Sequence, residues 1–319
     1  MRVFVRSVAV VASLLLLGLA ILLLPPHWQI RRIAPPLPSA AELRALAAEP
    51  DGPIAVEYLV NASQSSPLGV LGHLVFLVRW ADGSAFMIDA GLDRAEAAEF
   101  AELLKLMWGA DEGRFHGDVA ELLGDGIRQV RGVGFTHLHI DHSQGVVPFC
   151  AARGGAVDDA NDRPGEESAV VYQTRWQREE HNFNTTEGAG LVEASCLEAF
   201  GLSGDGVMRV EGFPGLGVVA LGGHTPGSTL FAVPVAGHLW LFSGDITNTR
   251  AALLGDEGKP FYYSYLAVPE NTARTAELRQ WLTALDARED TTVIVSHDLP
   301  DIEASGLPES DLSTRRARP

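Results

Sequence analysis

The chain has 319 residues, of which 46% are hydrophobic, and a formal net charge of -17. This apolar content is sufficient for a full hydrophobic core, and α/β sandwiches of this length commonly form a single domain. Because an acidic surface repels phosphate backbones, the charge argues against a nucleic-acid-binding protein, although acidic residues can also serve solubility alone.

Residues 1–24 are predicted to be a targeting or anchoring segment. Arg2 and Arg6 form a basic start, and an uninterrupted run of apolar or small residues follows at 8–24. As a helix this run spans roughly 25 Å, slightly less than the ~30 Å core of a bilayer. Pro25 follows directly, and small residues suited to cleavage occur only far downstream, which favours an uncleaved membrane anchor over a cleaved signal peptide. Both alternatives predict a membrane-anchored or exported protein on the extracytoplasmic (periplasmic) face.

Three further parts follow the N-terminal segment. Residues 25–50 are rich in Pro and Ala and predict a linker that enters a short helix near 41–48. Residues 51–304 are the predicted catalytic domain, and residues 305–319 are a polar C-terminal tail.

Two hairpins of similar length are predicted within the domain, each around a turn that contains glycine. Each hairpin ends in an aspartate, Asp89 in the first and Asp245 in the second. The paired segments are 74–80 with 85–88, and 230–235 with 239–242. This repetition is a weak indication of an internal duplication.

The remaining pattern is mixed helix, strand and loop. The segment 93–108 predicts an amphipathic helix that Asp93 caps and whose apolar stripe belongs to the core. Residues 153–168 predict an exposed loop. A further helix is expected around 191–200, at the mouth of the functional site, and another helix is expected to begin after Asn271.

The heptapeptide Thr136–His142, with the sequence THLHIDH, contains three imidazoles and one carboxylate within six positions. Imidazole suits zinc, iron and similar ions, and a carboxylate adds negative charge to the site. In an extended chain alternate side chains point the same way, so His137 and His139 can bind one ion while Asp141 and His142 turn to a second. A polar loop that is histidine-rich by chance is the alternative, but tight His and Asp clusters usually indicate metal sites.

The pattern His-x-His-x-Asp-His resembles the metallo-β-lactamase superfamily. The later motifs of that family also occur in order, with His224 in GGHTPGS, Asp245 in LFSGD and His297 in VIVSH. The resemblance extends from Val56 to Leu299. It implies an α/β fold, the four-layer αββα sandwich, which is preceded here by an N-terminal hydrophobic helix and carries a metal site at one edge.

The resemblance also implies how the site works. It implies two divalent metal ions, with Zn²⁺ favoured and Mn or Fe as alternatives. The first ion is assigned to His137, His139 and His224, the second to Asp141, His142 and His297, and Asp245 bridges the two. In such sites a bridging hydroxide attacks a carbonyl group of a small-molecule substrate, and Asp141 is the residue expected to orient it.

The bridging Asp245 resembles the glyoxalase II, lactonase and arylesterase branch, which implies cleavage of an ester, lactone or thioester. Asn248 stands where many N-acyl homoserine lactonases have a tyrosine, and residues 261–263 (FYY) can supply a replacement hydroxyl, an aromatic wall or only packing at the rim. Two alternatives stay open: a β-lactamase-type amide hydrolase, and a membrane-tethered metal-binding protein without turnover.

Several other polar residues have open roles. Asp89 and Asp298 are candidates to accept hydrogen bonds from the second ring nitrogen of the metal-binding histidines. A purely structural role is the alternative for both. His73 is expected at the surface or the core edge. His181 lies in a stretch that can overhang the site, where contact with substrate is the alternative to a structural role.

The two cysteines, Cys150 and Cys196, are not expected to bind metal. They can pair if the domain is exported, and two unrelated buried thiols are the alternative. The sequence does not indicate an oligomeric state.

Overall fold

The computed structural model describes residues 2–67, 69–154 and 168–310. The predicted exposed loop at 153–168 lies almost entirely outside these residues, as does the end of the tail from 311. The described strands are β1 (Ala55–Ser66), β2 (Gly69–Arg79), β3 (Ala85–Ile88), β4 (Arg114–Phe115), β5 (Val130–Gly134), β6 (Val170–Thr174), β7 (Glu198–Leu202), β8 (Met208–Arg209), β9 (Gly217–Ala220), β10 (Thr229–Val235), β11 (His238–Phe242) and β12 (Thr291–Ile294).

The helices lie before, between and after these strands. They are α1 (Arg2–Ile30), α2 (Ala40–Arg44), α3 (Arg94–Trp108), α4 (Val119–Leu123), α5 (Ile140–Ser143), α6 (Val146–Arg153), α7 (Arg175–Glu179), α8 (Thr186–Glu193), α9 (Arg250–Leu254), α10 (Thr272–Asp286) and α11 (Leu299–Ala304). A short π-helix, Tyr263–Ala267, precedes α10.

The described strands form two sheets, in the orders β4-β1-β2-β3-β5-β6-β7 and β12-β11-β10-β9-β8. In the first sheet β1 to β3 are antiparallel, while β3, β5, β6 and β7 run parallel. In the second sheet β11 pairs antiparallel with β10 and parallel with β12. Strands β3, β5, β11 and β12 therefore all end at the edge where the metal motifs follow.

The hydrophobic core occupies three layers of side chains around the two sheets. Between the sheets, Phe76 of the first packs on Phe242 of the second, with ring centroids 4.6 Å apart. Phe149 of α6 covers the outer face of the first sheet, and Leu282 of α10 covers that of the second. Full burial of each such side chain contributes about 1.5–3 kcal/mol. The layers are helix, sheet, sheet and helix, so the predicted αββα sandwich is confirmed.

Both predicted hairpins are present. The β10–β11 turn places Ala236 at φ 51° and Gly237 at φ 83°, which is the pair of positive angles that a two-residue hairpin loop requires. The predicted caps are also confirmed, because Asp93 accepts a hydrogen bond from the backbone N–H of Glu96, and Asn271 accepts one from Arg274.

The helix predicted at 191–200 is wrong in position. Helix α8 ends at Glu193, and the chain from Glu198 forms β7, which pairs in parallel with β6. Phe200 packs its ring 5.3 Å from that of Tyr172 on β6. Pairing with an existing sheet edge outweighs the helical pattern of this short stretch.

Helix α1 continues six residues beyond the predicted 1–24 segment. Within the described residues it is the one helix long and apolar enough to cross a membrane, with a 21-residue span at Val10–Ile30 and a mean hydropathy of 2.2. Residues of the predicted 25–50 linker pack on the domain: Leu43 and Leu46 are fully buried, and Arg274 donates a hydrogen bond to the carbonyl of Pro35. The boundaries between the predicted parts remain predictions.

Cys150 of α6 and Cys196, which lies between α8 and β7, form a disulfide. The pairing that the sequence left open is therefore present. Structural disulfides are typical of oxidising compartments outside the cytosol.

Candidate metal centre

The metal motifs meet at one edge of the sandwich because each follows the end of a strand. His137 comes three residues after β5, Asp245 three residues after β11, and His297 three residues after β12. His224 lies in the connection between β9 and β10. Loops at the carboxyl ends of neighbouring strands lie side by side, so the fold gathers all seven predicted ligands.

The predicted ligands form two groups. Ligand nitrogens of His137, His139 and His224 lie within 4.8 Å of one another. In the second group, His297 Nε2 is 3.2 Å from His142 Nε2 and 3.4 Å from Asp141 Oδ2. Ligand atoms of His137, His142 and Asp245 also lie within 4.8 Å of one another, so the two groups adjoin. The assignment of the ligands to two ions stays a prediction.

Asp245 lies between the two groups. Its Oδ2 is 3.1 Å from His297 Nε2, 4.0 Å from His137 Nε2 and 3.9 Å from His224 Nε2. Its Oδ1 is 3.5 Å from His142 Nε2. Gly244 has φ 62°, a left-handed angle that turns the chain so that the next carboxylate faces both groups.

Several of these atoms are buried without a partner. Among the described side chains, His139 Nε2, His224 Nε2 and Asp245 Oδ1 have no hydrogen bond. An unsatisfied buried polar atom costs about 1–3 kcal/mol. Imidazole nitrogens and a carboxylate oxygen that converge on one place fit divalent ions of the zinc type.

In two of the predicted ligands, the ring nitrogen that points away from the cluster has a polar partner within hydrogen-bond distance. His142 Nδ1 is 2.9 Å from Asp89 Oδ2, and His297 Nδ1 is 2.8 Å from the carbonyl of Gly72. Asp89 also accepts the backbone N–H of Thr136 at 2.7 Å and adopts φ 59°, an angle that non-glycine residues rarely adopt. Metal-binding histidines commonly have such partners, which fix the orientation of the ring.

Sequence reasoning missed the pair that holds His224. Glu270 Oε1 is 2.6 Å from His224 Nδ1, and Ser264 donates to its other oxygen at 2.6 Å. Lys259 Nζ lies 3.1 Å from Glu270 and donates to the carbonyl of Asp245 at 2.6 Å. Burial raises the pKa of Glu270, but Lys259 and His224 outweigh it and lower the pKa to about 2. No spacing in the sequence links these residues.

His73 is a further residue that the sequence placed differently. It lies in β2 and is only 5% exposed, with Nδ1 3.5 Å from Asp141 Oδ2 and its ring 5.1 Å from that of His297. With Asp141 and His297 it forms one of three possible ion-binding groups among the described residues. Asp298, in contrast, accepts the backbone N–H of Arg250.

Charge in the cluster is unevenly distributed. Burial opposes a charge on His142, but Asp89, Asp141 and Asp245 outweigh burial and raise its pKa to about 10. Burial lowers the pKa of His139 to about 3. Without a cation the cluster therefore holds a proton on His142 while His139 stays neutral.

A cavity of about 280 Å³ opens over Asp141, Asp245 and His297. Helix α3 forms one wall, where Met107 is 40% exposed, so the stripe predicted as core is divided between core and cavity. The remaining wall residues include Asn184, Asn248, Tyr263, Ala267 and Val268, and the described lining does not include His181. Burial raises the pKa of Tyr263 well above its ordinary value, so its hydroxyl remains a hydrogen-bond donor.

Comparison with known proteins agrees with this architecture. The family model described as "Metallo-beta-lactamase superfamily" matches residues 68–158, which contain the heptapeptide. No curated protein sequence matches the chain at a significant level.

Solved structures match over most of the chain. The structure of an N-acyl homoserine lactone hydrolase with the product N-hexanoyl-L-homoserine bound at its catalytic metal centre has a TM-score of 0.55 and 12% identity, and the match covers 79% of this chain and 96% of that protein. A B. thuringiensis protein with N-decanoyl-L-homoserine at its active site has the same values. A probable metal-dependent hydrolase from Staphylococcus aureus has a TM-score of 0.50 and 17% identity, covering 77% and 90%. At these identities the likeness establishes the fold.

Proposed function

We propose that this metal-dependent hydrolase of the metallo-β-lactamase fold uses two divalent ions to cleave an ester, lactone or thioester. The observation that carries the proposal is the position of Asp245, whose carboxylate approaches histidines of both groups at 3.1–4.0 Å. A carboxylate that lies between two sets of imidazoles can bind two cations at once, as in sites where two ions lie about 3.5–4 Å apart.

The first ion would be held by His137, His139 and His224, and the second by Asp141, His142 and His297, with Asp245 shared. Zinc suits this mixture of imidazole and carboxylate, and Mn or Fe are alternatives. Such ions, when bound, acidify a water molecule and polarise a carbonyl group. His73 is an additional candidate ligand on the side of Asp141.

The protein's own groups would orient the reactants. Asp141 lines the cavity floor and would accept a hydrogen bond from the attacking water. Tyr263 also lines the cavity, and its protonated hydroxyl would donate a hydrogen bond to the oxygen that gains charge. This tyrosine belongs to the FYY segment that the sequence offered as a substitute for the residue replaced by Asn248. Lys259 and Glu270 would fix the ring of His224.

The walls support a substrate with an apolar portion, because α3 contributes Phe100, Leu104 and Met107 to the cavity. The two lactone-product complexes among the structural neighbours favour a lactone within the proposed set. Amide cleavage of the β-lactamase type remains the alternative, and its marker would be rapid opening of a β-lactam.

We further propose that α1 is an uncleaved membrane anchor that places the domain outside the cytosol. The length and composition of Val10–Ile30 support the anchor. The Cys150–Cys196 disulfide supports an oxidising compartment.

The test is hydrolysis by the full-length, zinc-loaded protein in detergent, against lactones, thioesters, aryl esters and β-lactams. We expect turnover of one carbonyl class by the unmodified protein and a loss of at least a hundredfold in Asp245→Asn. Asp298→Asn is the matched control, because that carboxylate holds a backbone N–H outside the cluster. The absence of turnover for every class, with two ions bound, would overturn the proposed reaction.

A further inference from the structure

Exposed apolar side chains lie on two segments that also contribute residues to the cavity lining, helix α3 and the chain at 261–266. We call the following six side chains the rim: Leu103, Leu106, Met107, Phe261, Tyr262 and Leu266. Leu106 is 85% exposed, Phe261 69% and Leu266 50%. Beyond α1, the rim contains half or more of the large apolar side chains that are exposed among the described residues. Contiguous apolar surface of this kind marks a docking or binding face.

The rim belongs to the cavity and not to an unrelated surface. Leu103 and Met107 line the cavity directly, and the segment that carries Phe261 and Leu266 also supplies the lining residue Tyr263. The rings of Trp108 at the end of α3 and Tyr263 lie 6.2 Å apart. The two segments that carry the rim therefore approach each other at the cavity, through lining residues next to the rim.

The end of α1 packs against the same segment. His27 Nε2 is 3.1 Å from the carbonyl oxygen of Tyr265, and the two rings are stacked with centroids 5.5 Å apart. Two residues later, Gln29 donates hydrogen bonds to Glu180 at 2.7 Å and to the carbonyl of His181 at 3.1 Å. The anchor thus ends directly on one half of the rim.

This contact fixes the depth of the rim relative to a bilayer. The uninterrupted apolar run within the Val10–Ile30 span ends at Leu24, and five residues later Gln29 hydrogen-bonds to the ionisable side chain of Glu180. Because ionisable side chains are costly inside a bilayer, we place the end of the hydrocarbon near Leu24. His27 lies about 5 Å further along the helix axis, and the polar zone on each side of a bilayer is about 5–8 Å thick. Trp28 is 65% exposed, with the guanidinium of Arg32 4.0 Å from its ring centroid. Tryptophan and arginine are characteristic of the membrane interface.

We propose that the cavity mouth docks on the phospholipid bilayer that holds α1, with the rim inserted at the boundary between headgroups and acyl chains. Given the proposed hydrolase function, on which this part rests, the substrate is an ester, lactone or thioester with a long acyl chain that enters the cavity from the bilayer. The net charge of -17 opposes attraction to anionic lipid, so the contact is apolar and insensitive to salt.

Collision measurements on spin labels test the docking without reference to catalysis. Both cysteines of the chain are in the disulfide, so a single introduced cysteine takes the label. We would label Leu106→Cys, Phe261→Cys and Leu266→Cys in the full-length protein, reconstituted in phosphatidylcholine nanodiscs. The control is Ile54→Cys, which is 59% exposed and directly precedes β1. It lies eight residues, or about 26 Å along the strand, from Ala62, the residue that pairs with His73 beside the cavity.

At the three rim positions, we expect the label to collide several-fold more often with oxygen, which concentrates in lipid, than with a water-soluble nickel chelate. The control position should show the reverse preference. Rim labels that behave like the control would overturn the proposal. Labels shielded from both reagents and coupled to each other would also overturn it, because a second copy of the chain would then cover the rim.

The substrate part has its own measurement. The variant is the double substitution Leu106→Ser and Leu266→Ser. We expect it to hydrolyse a long-chain thioester embedded in vesicles at least tenfold more slowly than the unmodified protein does. Its rate of hydrolysis of a water-soluble short-chain thioester should be unchanged. Ile54→Ser should change neither rate. Equal losses on both substrates would contradict membrane delivery. If the unmodified protein cleaves no member of the carbonyl panel, the proposed function fails, while the collision measurement still decides the docking.

Discussion

The buried pair Lys259–Glu270 should be essential to both the fold and the first metal group. Glu270 is 3% exposed, and both of its carboxylate oxygens have hydrogen-bond partners. One oxygen lies 2.6 Å from His224 Nδ1, and the other accepts a hydrogen bond from the Ser264 hydroxyl. Glu270→Gln keeps the shape of the side chain but removes its charge. Lys259, 4% exposed and 3.1 Å away, is then left as a buried ammonium without a counter-charge.

The magnitude follows from this geometry. Removing one partner of a buried ion pair costs about 3–5 kcal/mol of unfolding free energy, which is more than a hundredfold in the folding equilibrium. Because Glu270 also orients the ring of His224, zinc affinity at the first group should fall about 10–100-fold. Lys259→Met combined with Glu270→Gln should recover part of the stability, since no isolated charge then remains buried.

The assay combines denaturant unfolding of the metal-free protein with zinc titration against a competing chelator. Lys105→Met is the matched control, because its partners Glu102 and Glu112 are exposed, and such pairs contribute about 0–1 kcal/mol. If Glu270→Gln changes neither unfolding free energy by more than about 1 kcal/mol nor zinc affinity, the role assigned to the pair is refuted.

Three further predictions concern the cavity, protonation and the disulfide. Tyr263→Phe should lower kcat about 10²–10³-fold with unchanged zinc content, if its hydroxyl stabilises developing charge; steady-state kinetics and metal analysis check this. Since His142 has a pKa of about 10 without metal, ion binding at pH 7 should release a proton, and apparent affinity should rise with pH up to about pH 10; calorimetry in buffers of different ionisation enthalpy measures the release. Cys150→Ser should lower the unfolding free energy by about 2–4 kcal/mol, and a reducing agent should reproduce the loss in the unmodified protein.

Different outcomes would contradict these three predictions. Unchanged kcat in Tyr263→Phe would assign this residue to packing alone. Zinc binding without proton release would mean that His142 is neutral in the metal-free site. Equal stability of Cys150→Ser and the unmodified protein would show that the disulfide does not constrain the unfolded chain.

The sequence predicted the parts of the site that are local in the chain. The heptapeptide holds its ligands within six positions, so its composition alone indicated metal binding. His224, Asp245 and His297 were assigned through the resemblance of their motifs to those of the metallo-β-lactamase superfamily. The hairpins were also predictable, since turn chemistry is decided by a few neighbouring residues.

The parts that sequence reasoning missed depend on contacts between distant segments. Glu270 lies 46 residues from His224 and resembles any polar residue before a helix. His73 looked like an ordinary strand residue, and the hydrogen bonds between its neighbour Gly72 and His297 are what place it beside Asp141 and His297. The stretch around Phe200 has a weak helical pattern, yet it forms a strand because it pairs with the edge of β6. Side chains on α3 were assigned to the core because amphipathic periodicity does not distinguish a core from a cavity wall.

The most direct test of the central claim is a crystal structure of the zinc-loaded protein with anomalous scattering recorded at the zinc edge. The account predicts two peaks per chain about 3.5–4 Å apart, one beside His137, His139 and His224, and the other beside His142 and His297, with Asp245 contacting both. One peak, or two peaks without Asp245 between them, would contradict a dinuclear centre.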